Sequence, residues 1–399
     1  MSDDLIATLR STRTVRERAN RVLSAAEAGT SKFWLVDASR MGACADVVAQ
    51  VTRERYPDLN IPYHSRWRHF EAGGHDRYAK FVEALGNVDA AERARCEIDL
   101  AVTSVLLDAG AGPEWRYVER GARTTLARSE GLGVASFHAF MQGAFSSIEP
   151  KPFQADAAGL RAFSAEKISS AFQVRGDNPM VGLDGRAALI RRLSDAVVEA
   201  PQFARKNRVG GLFDFMTRGC EAKTVAAQDI LRAILDGLSA IWPSPNSMHG
   251  EPLGDCWPCD LIDDWIPFHK LSQWLTYSLL EPFQRAGIEV TGLDDLTGLP
   301  EYRNGGLFLD ANVIVPRDAA LLTQSLSAGD QAIVEWRALT VALIDQLAPM
   351  VRTKLGLSAS QMPLAAVLEG GTWAAGRKLA ADKRNGLPPL NIVSDGTVF

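Results

Sequence analysis

Hydrophobic side chains recur at helical spacing through most of this chain, and this periodicity limits the fold more than any other feature. In the segment 97–107, Ile98, Val102, Val105 and Leu106 share one helical face, and Gly110 follows as a stop signal. The segment 331–347 carries a second such stripe, formed by Trp336, Leu339, Leu343 and Leu347. The same spacing predicts helices at 14–28, 186–199, 225–242 and 364–381. Strand-like alternation is short, at 33–36, 307–315 and 390–393. We therefore predict a mainly α protein with a few short strands.

The length of 399 residues and the 46% hydrophobic content indicate a globular protein with one large domain or two. A proline-rich joint at 147–152 divides the chain into two predicted helical lobes, 1–150 and 151–399. The second lobe carries most of the candidate catalytic residues. No flexible linker separates the lobes in the sequence, so we expect them to pack as one unit.

Charge and apolar runs narrow the classes of partner. The net charge of −5 disfavours a general nucleic-acid binder, which usually carries a basic excess. No apolar run approaches the roughly 18 residues that cross a bilayer, and the first residues lack the apolar core of a secretory signal. The five cysteines, among them the scattered Cys44, Cys96 and Cys220, are typical of reduced thiols. We expect a cytoplasmic protein with a small-molecule substrate, without nucleic-acid or membrane partners; the oligomeric state stays open.

The helix predicted after Pro267 has an unusual polar face. Lys270, Trp274, Tyr277 and Glu281 follow the spacing i, i+4, i+7, i+11 and share that face. The simpler interpretation is an amphipathic helix with a lysine and a glutamate on the surface. The aromatic pair between the two charges favours a half-buried stripe, in which a desolvated lysine could bind an anion or transfer a proton.

A cluster of polar residues follows Pro300. Glu301, Tyr302 and Arg303 crowd into a predicted turn, and the pair Gly305–Gly306 permits unusual backbone angles or close approach of a ligand. The simpler interpretation is a solvated loop with an incidental Glu–Arg pair. A functional carboxylate here would suit stabilisation of a developing cation or activation of water.

The segment 63–70, YHSRWRHF, mixes two arginines with aromatic residues. Arginine recognises phosphate or carboxylate in a planar, bidentate manner. In an extended stretch Arg66 and Arg68 would point to the same side, on either side of Trp67 and next to His69. The alternative is a packing segment whose arginines extend to the surface.

Three further motifs are weaker. Gly131 and Gly133 lack the third glycine and the preceding strand of a dinucleotide fingerprint, which leaves Glu130 as a modest substrate-binding candidate. Cys256 and Cys259 form a C-x-x-C pattern without a βαβ context or two further metal ligands. No metal or organic cofactor is implied. The break in helical pattern at 369–373 and the C-terminal residues 394–399 both read as structural.

Together the motifs resemble a known family. They are similar to the uracil-catabolism family called Urc-four in yeasts, which also occurs in bacteria. The resemblance covers nearly the whole chain and is carried by eight separated motifs. They are YHSRWRHF, LLDAGAGPEWRY, RSEGLGVASFHAF, PFHKLSQWLTYSLLEP, TGLPEYRNGGL, VEWRALTV, LEGGTWAAGRKLA and SDGTVF. The resemblance implies a role in a pyrimidine degradation route that passes through ribosylurea-type intermediates and yields urea.

A more distant resemblance is to the queuosine-salvage nucleotide N-glycosylases, which are mainly helical and related to helix-hairpin-helix DNA glycosylases. It implies a fold of that kind for the C-terminal part. Lys270 and Gln273 match the family's Lys-Arg-Ala-Gln helix. Glu301, Tyr302 and Arg303 match its catalytic Asp-Tyr-Arg turn, with a glutamate for the aspartate, and Glu335 and Arg337 match its Glu-x-Glu-Ile-Arg helix.

These resemblances and residues predict a hydrolase that cleaves the ribosyl C–N bond of a phosphorylated ribosylurea-type intermediate to release urea and ribose phosphate. Glu301 would stabilise the oxocarbenium-like transition state and deprotonate water, Lys270 would orient it, and Glu335 would act as the second acid. The predicted substrate-binding residues are Arg66, Trp67, Arg68, His69, Glu130, Gln273, Trp274, Tyr277, Tyr302 and Arg303. The alternatives are an amidohydrolase acting on a ureido C–N bond of a ring-opened uridine nucleotide, or a non-catalytic nucleotide-binding partner.

Overall fold

A computed structural model describes residues 2–119, 121, 124–150, 152–219, 223–242 and 246–393. The predicted mainly α class is confirmed, and the strands are short and occur in pairs. The likeness to helix-hairpin-helix proteins stays a prediction. In the described part of the chain, no helix combines the length and the apolar character that a membrane span requires. Cys220 and the C-terminal motif 394–399 lie outside the described residues.

The helices account for most of the described residues. Those before residue 240 are α1 (Ser2–Leu9), α2 (Thr12–Glu27), α3 (Met41–Arg55), α4 (Arg66–Phe70), α5 (Arg77–Leu85), α6 (Ala90–Leu106), α7 (Arg128–Met141), α8 (Ala157–Arg161), α9 (Ala165–Ala171), α10 (Leu183–Glu199), α11 (Gly211–Thr217) and α12 (Ala227–Leu238). Those after it are α13 (Lys270–Arg285), α14 (Tyr302–Asp310), α15 (Gln331–Leu355), α16 (Leu364–Val367) and α17 (Trp373–Arg384). A π-helical turn, Leu368–Thr372, joins α16 to α17.

Each strand pairs with one other strand. The antiparallel pairs are β1 (Trp34–Val36) with β10 (Ile314–Pro316), β2 (Tyr117–Glu119) with β3 (Thr124–Leu126), β5 (Ser247–Met248) with β6 (Glu251–Pro252), and β7 (Cys256–Cys259) with β8 (Asp264–Pro267). The parallel pairs are β4 (Thr224–Ala226) with β9 (Glu289–Thr291), and β11 (Ser325–Leu326) with β12 (Asn391–Ile392).

The chain forms two compact units that interleave along the sequence. The first unit contains Met1–His64, Asn246–Trp274 and Gly292–Val393, and the second contains Ser65–Pro245 and Leu275–Thr291. The predicted lobes 1–150 and 151–399 are contiguous segments instead, and they stay a prediction.

The core of the first unit is built on α15. The predicted stripe of Trp336, Leu339, Leu343 and Leu347 is buried, and α15 packs against α2 and α3. The helix runs past the predicted end at residue 347 and stops before Gly356, whose φ of 72° is the left-handed conformation favoured after a helix. Burial of this stripe removes a large apolar area from water and holds the unit together.

In the second unit, α6 has the same role. Its predicted face, including Ile98, Val102 and Val105, is buried, and the helix packs against α7 and α11. It begins at residue 90, earlier than predicted, because the carboxylate of Asp89 accepts a hydrogen bond from the backbone N–H of Glu92 at 2.6 Å and caps the first turn.

Two local predictions are wrong, and the bounds of a third differ from the structure. The segment 307–315 was expected to be a strand, but it contains the end of α14 and only the short β10. The segment 225–242 begins as strand β4 before it becomes α12. The segment around Trp67 is the helix α4, not an extended stretch. For the segment 307–315 the physical reason is that a short apolar run satisfies a helix or a strand equally well, so tertiary packing decides between them.

Candidate functional site

Glu301 caps the start of α14. One oxygen of its carboxylate accepts the backbone N–H of Arg303 and the other accepts that of Asn304, both at 2.6 Å. The side chain of Asn304 donates to the carbonyl of Leu299 at 3.0 Å and fixes the preceding loop from inside. The predicted turn is therefore a helix N-terminus, and its acid is held in one orientation by backbone amides instead of moving in solvent.

Burial raises the pKa of the Glu301 carboxyl group above its usual range. The two backbone hydrogen bonds and the positive charges of Lys270 and His64 act in the opposite direction. Glu301 thus lies in a medium that penalises the ionised form, among groups that stabilise it. Such opposed influences are common at sites where a carboxyl group exchanges a proton.

A buried ion pair holds the elements that carry Lys270 and Glu301. Arg337 donates two hydrogen bonds to the carboxylate of Asp255, at 2.8 and 2.7 Å, and its Nε donates to the carbonyl of Pro300 at 3.4 Å. Asp255 also accepts the backbone N–H of Lys270 at 3.0 Å. Burial opposes ionisation of Asp255, but the charge of Arg337 holds its pKa well below the usual range. Arg337 therefore ties the start of α13 to the residue before Glu301.

Gln273 fixes a neighbouring loop. Its amide nitrogen donates to the carbonyl of Phe268 at 2.9 Å and to the hydroxyl of Thr297 at 2.7 Å, and its oxygen accepts the backbone N–H of Thr297 at 2.8 Å. The structure thus places this predicted substrate-binding residue in a buried bridge between α13 and the loop that leads to Glu301.

Arg303 is buried beside Tyr302. Its guanidinium lies 4.7 Å from the centre of the Tyr302 ring and donates to the carbonyl of Gly386 at 3.3 Å. Among the described residues, no carboxylate pairs with Arg303, and its Nε has no hydrogen-bond partner. A buried arginine with incomplete hydrogen bonding is suited to bind an anion. Trp274, also in the first unit, is buried, whereas a half-buried stripe was expected, and its role in substrate binding stays a prediction.

Glu335 faces a different set of groups. It accepts a hydrogen bond from the hydroxyl of Ser31 at 2.6 Å, and burial followed by the charge of Asp260 raises its pKa, against the effects of Ser31 and Lys32. Positions 335 and 337 are about 200° apart around the helix axis. Because Arg337 faces Asp255, Glu335 points to the other side of α15. This geometry makes Glu335 a poor partner for Glu301.

No sequence motif indicated His64 or Glu369 as a candidate site residue. Nδ1 of His64 lies 2.8 Å from Oε2 of Glu369, and both side chains are buried in the first unit. The signal in the sequence was the interruption of the helical pattern at 369–373, which is the π-helical turn. Turns of this kind occur often at functional sites.

The second unit contains a cluster around Arg66, which is fully buried. Its Nη1 donates to Asp108 at 2.6 Å, and its Nε donates to Ser104 at 2.6 Å. His69 Nδ1 lies 3.4 Å from Nη1, and the charge of Glu130 also acts on the guanidinium. Burial lowers the pKa of Arg66, and Asp108 opposes this effect. The positive charge of Arg66 is thus matched by a carboxylate of the protein.

Arg68 and Trp67 also have protein partners. Arg68 donates to Glu281 at 3.0 Å, and the indole N–H of Trp67 donates to the carbonyl of Ser278 at 2.8 Å. Because these residues lie in α4, Arg66 and Arg68 are about 200° apart and do not point to one side as expected. Trp67 is a core residue with the guanidinium of Arg285 at 4.7 Å from its ring, and Tyr277 is fully buried.

The described cysteines are free and buried. In β7, burial raises the pKa of Cys259 to about 11 and that of Cys256 further. A raised pKa disfavours the reactive thiolate, which argues against redox chemistry at this pair. Within the ranges that the structure describes, no group of three or more His, Cys, Asp or Glu is placed to hold a metal ion.

Comparison with known proteins gives matches over the whole length. The family model described as "Protein of unknown function (DUF1688)" matches residues 8–399. "Protein urg3" of Schizosaccharomyces pombe is 38% identical over 407 residues, which cover 100% of both chains. "Uracil catabolism protein 4" of Lachancea kluyveri is 37% identical over 440 residues, which cover 100% of this chain and 99% of the relative.

Proposed function

The chain belongs to the DUF1688 family, and from that premise we propose that it acts in uracil catabolism, as the hydrolase of a ribosyl C–N bond. The relative named Uracil catabolism protein 4 supports the pathway, and the motifs predicted this family from the sequence. The reaction is cleavage of a phosphorylated ribosylurea into urea and ribose phosphate. The observation that carries the reaction type is the half-buried carboxylate of Glu301, which two backbone amides hold in place beside the charge of Lys270.

Cleavage of a ribosyl C–N bond passes through a transition state in which the sugar carries positive charge. A fixed carboxylate near C1 stabilises that charge, and it needs no reorganisation because its hydrogen bonds are already made. The same group accepts the proton of the attacking water, as the base carboxylate does in inverting glycosidases. Both tasks suit Glu301, whose raised pKa brings proton transfer closer to neutral pH.

The phosphate is assigned to Arg303. A buried Nε without a hydrogen-bond partner is common to Arg303 and Arg68, so the assignment rests on the charge. Among the described residues Arg303 has no carboxylate partner, whereas Arg66 and Arg68 are paired with Asp108 and Glu281. Binding of a phosphate oxygen would supply the partner that the Nε of Arg303 lacks. Tyr302 and Trp274 are the aromatic residues of the first unit proposed to exclude water around the ligand.

The test is a product assay with synthetic ribosylurea 5-phosphate. Wild-type protein is expected to release equal amounts of urea and ribose 5-phosphate, and Glu301→Gln to lower turnover by about 10²- to 10⁴-fold. Glu54→Gln, which removes an exposed glutamate paired with Lys378, is the matched control and should retain full activity.

Other results would identify other functions. Ammonia or carbamate in place of urea would support an amidohydrolase acting on the ureido bond. A rise in melting temperature with the ligand, but no product at any pH, would support a binding protein. Full turnover by Glu301→Gln would remove this residue from the chemistry.

A further inference from the structure

His64 and Glu369 form a buried pair, and neither residue is among those assigned to the proposed reaction. Oε2 of Glu369 lies 2.8 Å from Nδ1 of His64. The other oxygen, Oε1, accepts hydrogen bonds from Arg55 at 2.6 Å and from the hydroxyl of Tyr56 at 3.0 Å. Burial opposes ionisation of Glu369, but the hydrogen bond and charge of His64, with those of Arg55, hold its pKa below the usual range. The carboxylate is therefore ionised and fixed on both sides.

The backbone around this pair is built for close packing. Glu369 lies in the π-helical turn, and a Cβ atom on Gly371 would come within 2.4 Å of Cγ1 of Val48 in α3. The turn can approach α3 only because residue 371 is a glycine. The end of α3 then presents Arg55 to the carbonyl and carboxylate of Glu369. The extra residue of a π turn thus directs one acidic side chain towards His64.

The pair lies near the start of α14. This helix packs along α17 and against the π-helical turn, and His64 lies against Trp373, the first residue of α17, with 6.0 Å between ring centres. Glu301 caps the start of α14, so the π-helical turn that carries Glu369 contacts the helix that begins at Glu301. All of these residues belong to the first unit.

Resting on the proposed function, we propose that His64 is the general acid of the reaction and that Glu369 is its positioning residue. With Nδ1 directed at a carboxylate, the proton on that nitrogen is retained, and Nε2 is the nitrogen that faces away from Glu369. Among the residues that the structure describes, none makes a hydrogen bond to this Nε2. A histidine oriented in this way by a carboxylate is the arrangement that proton transfer requires.

In the proposed step, one bond to C1 of the ribose breaks and another forms. The bond between C1 of the ribose and the ureido nitrogen breaks, and its electron pair goes to the leaving urea. Nε2 of the His64 imidazolium gives its proton to that leaving group, which departs as neutral urea. Water adds to C1 and gives its proton to Glu301. Transfer of that proton through solvent to His64 restores both groups.

This assignment replaces Glu335 as the second acid. Urea is a poor leaving group when it departs as an anion, so a proton donor is needed in addition to the base. Glu335 faces Ser31, whereas His64 is oriented by Glu369 in the π-helical turn, against which α14 packs. The simpler alternative is that the pair only ties the segment before residue 64 to the π-helical turn, and the test must separate the two roles.

The variant His64→Asn makes this separation. The amide nitrogen of asparagine lies near the position of Nδ1 and can still donate to Glu369, but no group replaces Nε2. On ribosylurea 5-phosphate, His64→Asn is expected to lose about 10²- to 10⁴-fold in kcat, with KM little changed. On 4-nitrophenyl ribofuranoside 5-phosphate the loss should stay below about tenfold, because nitrophenolate leaves without protonation.

Glu369→Gln should show the same selective loss with a smaller magnitude, since it misorients His64 without removing it. Melting temperatures verify that both variants are folded. Equal losses on the two substrates, or activity of His64→Asn within tenfold of wild type on the urea substrate, would overturn the assignment. A wild-type protein that releases no urea would instead remove the proposed function itself.

Discussion

The two arginine clusters of this protein differ in what balances their charge. In the second unit, the buried guanidinium of Arg66 donates to Asp108 at 2.6 Å, and the ion pair is closed by the protein. In the first unit, Arg303 is buried with a tyrosine ring and a backbone carbonyl as its described partners. The carboxylate of the first unit, Glu301, is held by backbone amides instead of by an arginine.

This difference separates structural charges from functional ones. A buried ion pair with both partners in place resists disruption, and a competing ligand would have to displace a protein group. Charges that are buried without a matched partner cost free energy in the unliganded protein, so they indicate a site at which a ligand restores the balance. We therefore expect substitutions in the Arg66 cluster to affect folding, and substitutions around Glu301 to affect chemistry.

The largest expected effect on folding comes from Asp108→Asn. It leaves the fully buried Arg66 without its counter-charge, and we expect the free energy of unfolding to fall by about 3–5 kcal/mol. Asp195→Asn removes the partner of the exposed Arg161 and is the matched control, with an expected loss below about 1 kcal/mol. Urea denaturation gives both values. Similar losses of unfolding free energy for the two variants would contradict the inference that the Arg66 cluster is structural.

Arg303→Met should act on binding instead. Loss of charge-assisted hydrogen bonds worth about 1.5–3 kcal/mol would weaken ribose 5-phosphate by roughly 10- to 100-fold. Ribose without the phosphate should bind equally to wild type and variant. Arg68→Met, which removes an arginine already paired with Glu281, is the control and should leave both affinities unchanged. Calorimetry would contradict the phosphate assignment if Arg303→Met bound both ligands as wild type does.

The core of this protein was predictable from the sequence, because regular spacing of apolar residues determines which faces are buried. The stripes in α6 and α15 are the clearest cases. The start of α14 was not predictable in the same way. Glutamate is a less common cap than serine, threonine, aspartate or asparagine, so the segment after Pro300 read as a turn. The pair Gly305–Gly306 was expected to permit unusual backbone angles or close approach of a ligand, but a Cβ atom on Gly305 would lie 2.4 Å from Trp336, so close packing within the protein explains this glycine.

Some residues of the candidate site were predictable from the sequence, but the residues to which they are hydrogen-bonded were not. Lys270 and Glu301 stood out because charged residues lie among apolar ones in their segments. The groups that position them, Asp255 and Arg337, are 82 residues apart, and His64 and Glu369 are 305 apart. No local pattern in one sequence records a pair at such separations. The expectation that Arg66 and Arg68 point to one side of an extended stretch is wrong because the segment 66–70 folds as a helix, and their role in binding stays a prediction.

The pH dependence of turnover tests the environment of Glu301. Burial raises the pKa of this carboxyl group above 4.5, and catalysis requires its ionised form. Turnover should therefore fall about tenfold per pH unit as the pH is lowered through that raised pKa, and not only below the usual range for glutamate. Lys270→Met removes a charge that lowers this pKa, so the acidic limb should move to higher pH. If Lys270→Met left the acidic limb of the pH profile unchanged, the charge of Lys270 would have no effect on the pKa of Glu301.

The smallest effect, on the stability of Glu301→Gln, comes from two opposed contributions. Folding raises the pKa of Glu301, so protonated Glu301 stabilises the folded protein. This stabilisation is fully present below the pKa of the unfolded state and is lost as the pH rises through the pKa of the folded state. Removing the charge of Glu301 therefore increases the free energy of unfolding at neutral pH. In the opposite direction, glutamine has one accepting oxygen for the two cap hydrogen bonds, and a lost cap costs about 0.5–2 kcal/mol. We expect a net change below about 1 kcal/mol.

Asp89→Ala provides the comparison for a cap with no other task. It removes the capping carboxylate of α6 and should cost about 1 kcal/mol in the free energy of unfolding with no change in turnover. A Glu301→Gln protein that lost several kcal/mol would show that the carboxylate exists to hold α14 in place. The two clusters would then not differ as we infer, because Glu301 would be structural, as Asp108 is.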